Sequence, residues 1–212
     1  MKSKNLFVLF VVAAVLVGLA YWSSQRDKGM DAAAQALGKP VFENLQKAET
    51  LNDIEKIVVR SPSGTVTVAR VNERWVAPQK FNYAVKFEKV SDFVRSIANL
   101  KIGQTLSAAG SQLAELDLVA PGQPAGTNQS AIGTQVQFMG KDGVIASFMV
   151  GKEHKKSADA DSRMPPGYGG YADGRYLAVN DKAYLVWDAL GGIPSSAKDW
   201  LESDLVSVPA AD

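Results

Sequence analysis

The sequence predicts an α+β protein: an N-terminal transmembrane helix, then antiparallel β-meanders that are each followed by a helix. Three observations carry this expectation. Residues 6–22 form an unbroken apolar run behind Lys2 and Lys4. Beyond Asn52, short β-branched segments alternate apolar and polar side chains between turns rich in Gly, Pro, Asn and Asp. The apolar period then switches to helical spacing over Phe87–Leu100, and a cap at Ser195 or Ser196 opens a last short helix at Trp200.

At 1.5 Å per residue the first run covers roughly 25 Å, near the low end for a hydrocarbon core of about 30 Å. Tyr21 and Trp22 close it, as aromatic side chains do at a membrane–water interface, and Ser23 to Lys28 returns to water. A cleaved secretory signal is the competing expectation, with Gly18-Leu19-Ala20 as its small-residue exit. The bulky Tyr21 and Trp22 after that exit favour an uncleaved anchor. Residues 1–5 are then a cytoplasmic tail, 6–22 a signal-anchor in the bilayer, and the rest of the chain is exported. Lys2 and Lys4 precede the run while Arg26, Lys28 and Lys39 follow it, so the shortness of the tail decides the orientation more than the charge bias does.

Residues 23–52 read as a stalk. Asp31–Leu37 has helical propensity and Gly38-Lys39-Pro40 ends it. Val41, Phe42 and Leu45 are more apolar than a free linker needs, so they are expected to dock on the domain over 53–208, with 209–212 as a tail. Ile54–Arg60 and Thr65–Arg70 form a hairpin about Ser61-Pro62-Ser63-Gly64, with Val66 and Val68 on one face. Arg74–Ala77 adds a third strand. Phe87, Val90, Phe93, Val94, Ile97 and Leu100 define an amphipathic helix over about 86–100, and a shorter helix is expected over Ala109–Leu116. An irregular loop over Ala120–Ser130 leads to a second hairpin, Thr134–Met139 with Val144–Val150. Arg175–Val179 and Ala183–Val186 make a third, and Ser195 or Ser196 caps a last helix through Trp200 and Leu201. Meander then helix, twice, over 53–119 and 131–206, is also what a duplicated β-β-β-α unit would give.

Composition excludes several function classes. The chain has no cysteine, hence no disulfide, thiolate metal site, cysteine nucleophile or lipid-modified cysteine. Net charge is +1 with both signs mixed, so no electrostatic footprint for nucleic acid exists. His154 is the single histidine and reads as a solvated side chain between Glu153 and Lys155. One imidazole does not make a transition-metal site, and no Gly-x-Ser-x-Gly elbow is present for a hydrolase triad. Asp159-x-Asp161 lacks the glycine and the acid of a calcium loop, with Met164 and Gly170 in those places. The acid pairs Asp53/Glu55 and Glu202/Asp204 are sequence neighbours, which does not establish the facing carboxyls that glycoside cleavage needs. No catalytic residue, metal or cofactor is therefore expected. Trp75, Trp187 and Trp200 each lie beside apolar strand or helix residues and read as core. The long polar segment 153–174 is the one candidate binding loop, with Arg163, Tyr168 and Tyr171 as its binding candidates.

The order of motifs carries a resemblance. Gly38-Lys39-Pro40-Val41-Phe42, Asn52-Asp53-Ile54, Thr65–Arg70 and Trp75-Val76 form one block. Tyr83, the Val90–Leu100 helix, Leu116-Asp117-Leu118 and Val150-Gly151-Lys152 form the next, and Tyr184-Leu185-Val186 with Asp199–Leu205 completes it. Over residues 38–206 the chain resembles the bacterial domain-of-unknown-function family forty-three forty. Its members are single-span envelope proteins, and related domains occur in auxiliary subunits of gliding-type ABC transport systems. The resemblance implies a bacterial inner-membrane protein with a periplasmic α+β domain, and no activity. The segment between Lys152 and Arg175 is longer than the family pattern, and the extra modules of the transport subunits are lacking.

Three functions are then open: a non-enzymatic protein-interaction module in an inner-membrane transport or envelope-assembly complex, a glycan or small-ligand binder using the 153–174 loop, and an enzyme acting on envelope polymers. The first is favoured, because the anchor and the β-rich domain come without paired catalytic groups.

Overall fold

The computed structural model describes residues 35–108, 110–122, 131–155, 172–180, 182–188, 190 and 192–201. The chain divides into two compact units, 1–37 and 38–212. Of the first, the described residues are 35–37, where Leu37 is exposed. The expected span at 6–22 lies outside the described residues, and among those that are described no helix is long and apolar enough to cross a membrane.

The second unit is mostly antiparallel β-sheet with a few helices. Its strands are β1 (Lys56–Ser61), β2 (Gly64–Val71), β3 (Arg74–Ala77), β4 (Tyr83–Ala84), β5 (Ile102–Leu106), β6 (Thr134–Gly140), β7 (Gly143–Lys155), β8 (Ala172–Val179) and β9 (Lys182–Val186). The helices are α1 (Ala48–Asn52), α2 (Phe87–Ala98), α3 (Ser111–Glu115) and α4 (Ala197–Trp200), with single 3₁₀ turns at Asn44–Gln46 and Pro78–Lys80. The nine strands form one sheet in the order β4-β3-β2-β1-β6-β7-β8-β9-β5.

The centre of the sheet is the antiparallel pair β1/β6, in register through Ile57↔Phe138 and Val59↔Val136. From it two meanders run outward in opposite directions, β1 to β4 on one side and β6 to β9 on the other. Each leads into a helix, and each helix delivers the chain to the opposite edge. After α2, β5 pairs with β9. After α4, Leu201 makes an antiparallel bridge with Val85, next to β4. Short turns keep the meanders tight. Asn72 and Glu73 both take positive φ (49° and 63°) between Val71 and Arg74, the backbone sense that matches the twist of a two-residue hairpin.

Alternation places the apolar side chains of one sheet face in the core. Ile57, Val59, Val66, Val68, Val136, Phe138, Phe148 and Val150 meet Val90, Phe93, Val94 and Ile97 of α2. The aromatic rings interlock: Phe93 stands edge-on to Phe138 at 6.0 Å, and Phe42 is tilted against Phe148 at 4.9 Å. Phe42 and Leu45 are buried as the sequence suggested, and they carry more chain with them. The Gly38 and Val41 N–H groups donate to the carbonyls of Ile102 and Leu100 at 2.7 and 2.9 Å. Residues 38–52, the C-terminal half of the expected stalk, thus belong to the folded unit.

The expected hairpins, the third strand and the long helix are all present, while β4 and β5 were not foreseen. Gly103 interrupts the apolar pattern of β5, and a β-bulge falls between Ile102 and Gln104. That glycine also explains a second correction. Trp187, expected in the core, is 58% exposed at the end of β9, and a Cβ at Gly103 would stand 2.5 Å from its Nε1. Its indole covers the bare backbone of an edge strand. Trp75 and Trp200 are buried as expected. Ser196 is the N-cap of α4, its N–H donating to Asp199 Oδ2 at 2.9 Å, and the helix ends at Trp200.

Candidate functional site

The candidate binding loop leaves the sheet from β7 and returns on β8. Arg163, Tyr168 and Tyr171 lie outside the described residues, as do Asp159 and Asp161. Its two roots are described and they are paired with each other. The register Glu153↔Arg175 and His154↔Gly174 brings four charged or titratable side chains together in two cross-strand contacts. Arg175 Nη2 donates to Glu153 Oε1 at 2.6 Å, and the His154 imidazole is hydrogen-bonded to Asp173. The Tyr176 ring stands edge-on to His154 at 5.8 Å. His154 is therefore a partly buried, partnered side chain, which corrects its reading as a solvated one. Its sequence neighbours do not reveal this, because Asp173 lies on the next strand.

The other acidic candidates are also accounted for. Glu55 sits between two cations, 3.9 Å from Arg70 and 3.8 Å from Lys141, so it balances charge at the end of the β1–β2 and β6–β7 hairpins. Glu202 and Asp204 lie outside the described residues. Among the described residues no three His, Asp or Glu side chains converge as a metal site.

Among the described residues, three concave regions stand out. A cleft of about 470 Å³ beside α3 is lined by Leu113, Leu118, Gln135, Ser147, Met149 and Asn180, without a charged side chain. A polar one of about 270 Å³ surrounds the Glu55 ion pairs. The third is a groove of about 220 Å³ between α1 and α2, and it differs in chemistry. Leu51, Ile54, Trp75, Phe87, Val90 and Val94 supply apolar walls, while Arg70 and Arg95 stand at the rim with Asn52 and Ser91.

Local sequence explains how the groove arises. Trp75 and Ile54 are buried residues of the sheet side, and Val90 and Val94 lie one turn apart on the inner face of α2. Phe87 is the first residue of that helix and is 63% exposed. The helical pattern counted it with the core, but at the helix start it overhangs the edge of the packed face. Arg95 lies two turns further on, outside the ion pairs formed among the described residues. A groove of this size is smaller than the roughly 300–1,000 Å³ of small-molecule sites, and it suits one or two side chains of a docking segment. Sequence reasoning missed Arg70 and Arg95 as a pair, since one is on a strand and the other on a helix. Residues 78–84 were missed as well: all seven are exposed, Phe81 completely.

Compared with protein-family models, with curated proteins and with solved structures, the chain finds no match in any of the three.

Proposed function

We propose that this chain is a non-enzymatic interaction module of the bacterial envelope, tethered to the inner membrane through residues 6–22 and working in the periplasm within a transport or envelope-assembly complex. On this reading the domain is a duplicated meander-plus-helix unit of the forty-three forty type, with four strands in each half where the sequence suggested three. The two meanders that run outward from β1 and β6, with each helix delivering the chain to the opposite edge, support the duplication.

The observation that carries the reading is the groove between α1 and α2. It combines an apolar floor, an exposed Phe87 and two arginines, of which Arg95 stands outside the ion pairs formed among the described residues. Aromatic and arginine side chains around a small pocket are the composition of protein-binding hot spots. The occupant it fits is a protein segment that lays apolar side chains on Trp75 and Val94 and brings an acidic side chain to Arg95.

A photocrosslinking residue placed at Ser91 in the full chain, in intact bacterial cells, tests this. One discrete adduct should form from Ser91, none from the exposed Val144, and Arg95→Glu should abolish it. Equal yields from both positions, or no adduct from Ser91, would overturn the assignment.

A further inference from the structure

The segment from Pro78 to Phe87 joins β3 to α2 and has no use in the groove except through Phe87. Residues 78–84 are all exposed. Phe81 has a relative exposure of 101%, so no described residue covers its ring, and Tyr83 is 39% exposed. Phe81 and Asn82 both hold left-handed backbone, with φ of 55° and 58°. That conformation is uncommon for a bulky residue, and here it points an aromatic ring into solvent. Between Pro78 and Phe87 the only charged side chains are Lys80 and Lys86, with no carboxylate among them.

Exposed aromatic rings framed by lysines match the boundary of an anionic bilayer, where rings sit at headgroup depth and ammonium groups meet lipid phosphates. Strand addition by a protein fits less well. β4 is two residues long, and next to it Lys86 N–H already donates to the Trp200 carbonyl beside the Val85–Leu201 bridge. We propose that the Pro78–Phe87 loop is a bilayer-contacting element, which seats Phe81 and Tyr83 at the surface of an anionic phospholipid membrane with Lys80 and Lys86 on its headgroups. It draws on the anchored reading above for proximity. Residues 23–37 span at most roughly 50 Å when extended, so an anchored domain stays within reach of the same membrane and the loop meets lipid at high effective concentration.

The absence of cysteine makes a single label clean. Full-length Asn82→Cys carrying a nitroxide is reconstituted into vesicles of phosphatidylcholine, with or without phosphatidylglycerol, and Val144→Cys serves as the reference. Flotation with phosphatidylcholine vesicles reports the anchor; collision with oxygen against a water-soluble nickel complex reports the loop. With phosphatidylglycerol present, the oxygen-to-nickel ratio at position 82 should rise several-fold over that at 144. It should fall back with Phe81→Ser or with Lys80→Glu/Lys86→Glu, each checked for an unchanged melting curve. A floating protein whose label at 82 stays as water-accessible as that at 144 overturns the loop assignment and leaves the anchor standing. Failure to float without phosphatidylglycerol, with protection at 82 in its presence, overturns the anchor and upholds the loop. Protection at 82 that persists in detergent and grows with protein concentration overturns the loop assignment in favour of a protein contact.

Discussion

The ring of Phe93 meets the indole of Trp200 edge-on, with centroids 5.3 Å apart and planes at 85°. This contact ties the long helix of the first half to the short helix that ends the second. Trp200 is fully buried, and its Nε1 donates to the Pro194 carbonyl at 3.1 Å. Trp200→Ala should therefore cost about 3–5 kcal/mol, the usual range for truncating a buried aromatic side chain. Trp200→Phe keeps the edge contact and loses the N–H donor, so it should cost less than the alanine variant, with about 1 kcal/mol of its own cost coming from the lost hydrogen bond. Urea unfolding of the full chain in detergent, followed by tryptophan fluorescence, measures both.

Gly151 lets α3 settle on the sheet. A Cβ there would lie 2.1 Å from the Leu116 carbonyl oxygen and 3.0 Å from Leu118 Cδ2, and the same carbonyl accepts the Lys152 N–H at 3.1 Å. The obstacle is backbone that is itself hydrogen-bonded, so it has little room to give. Gly151→Ala should destabilise by about 1–3 kcal/mol, the range for overpacking. Amide exchange should show the loss first at Lys152 and Leu118, before the centre of the sheet at Val59 and Val136 opens.

Such contacts mark the limit of what the sequence discloses. Strict alternation around Val66, Val68, Val136 and Phe148 announces which face of each hairpin is buried, because a strand's period is two and only one face meets α2. A cap by Ser195 or Ser196 is legible too, and the bond from Ser196 N–H to Asp199 selects the second. Strand order is a different matter. Nothing in Ile102–Leu106 says that it crosses to pair with β9, since that pairing depends on where α2 ends relative to a sheet edge. The misjudged aromatics have one cause: Phe87 and Trp187 lie at the ends of their elements, where an apolar pattern continues but the packed face does not. His154 and Arg95 depend on neighbours from other elements, and the binding candidates Arg163, Tyr168 and Tyr171 fall outside the described residues.

The root of the candidate loop offers an asymmetric pair. The Arg175 side chain is 14% exposed against 40% for Glu153, and Arg175 Nε is buried without a hydrogen-bond partner among the described residues. Removing the acid leaves a largely buried guanidinium uncompensated, while removing the base also removes an unsatisfied donor. Glu153→Gln should thus cost about 1–3 kcal/mol, and Arg175→Met should cost less or nothing. Chemical denaturation of the two variants and the double variant closes the cycle. A larger loss from Arg175→Met would show that its aliphatic stem, and not its charge, is what the fold uses.

Gly103 and Trp187 present the same kind of close approach as Gly151, with a different obstacle. A Cβ at position 103 would meet the Trp187 ring at 2.5 Å and the Leu185 carbonyl oxygen at 3.0 Å. The ring belongs to a side chain that is 58% exposed and can swing into solvent, whereas the carbonyl is fixed in β9. Gly103→Ala should therefore cost less than Gly151→Ala, and part of that cost should disappear once the ring is gone. In a double-mutant cycle with Trp187→Ala, the two substitutions should be non-additive by roughly 0.5–1 kcal/mol, in the sense that the double variant is more stable than the sum predicts. Additivity would mean that the Leu185 carbonyl alone sets the penalty. It would also mean that Trp187 rests on Gly103 without needing the glycine beneath it.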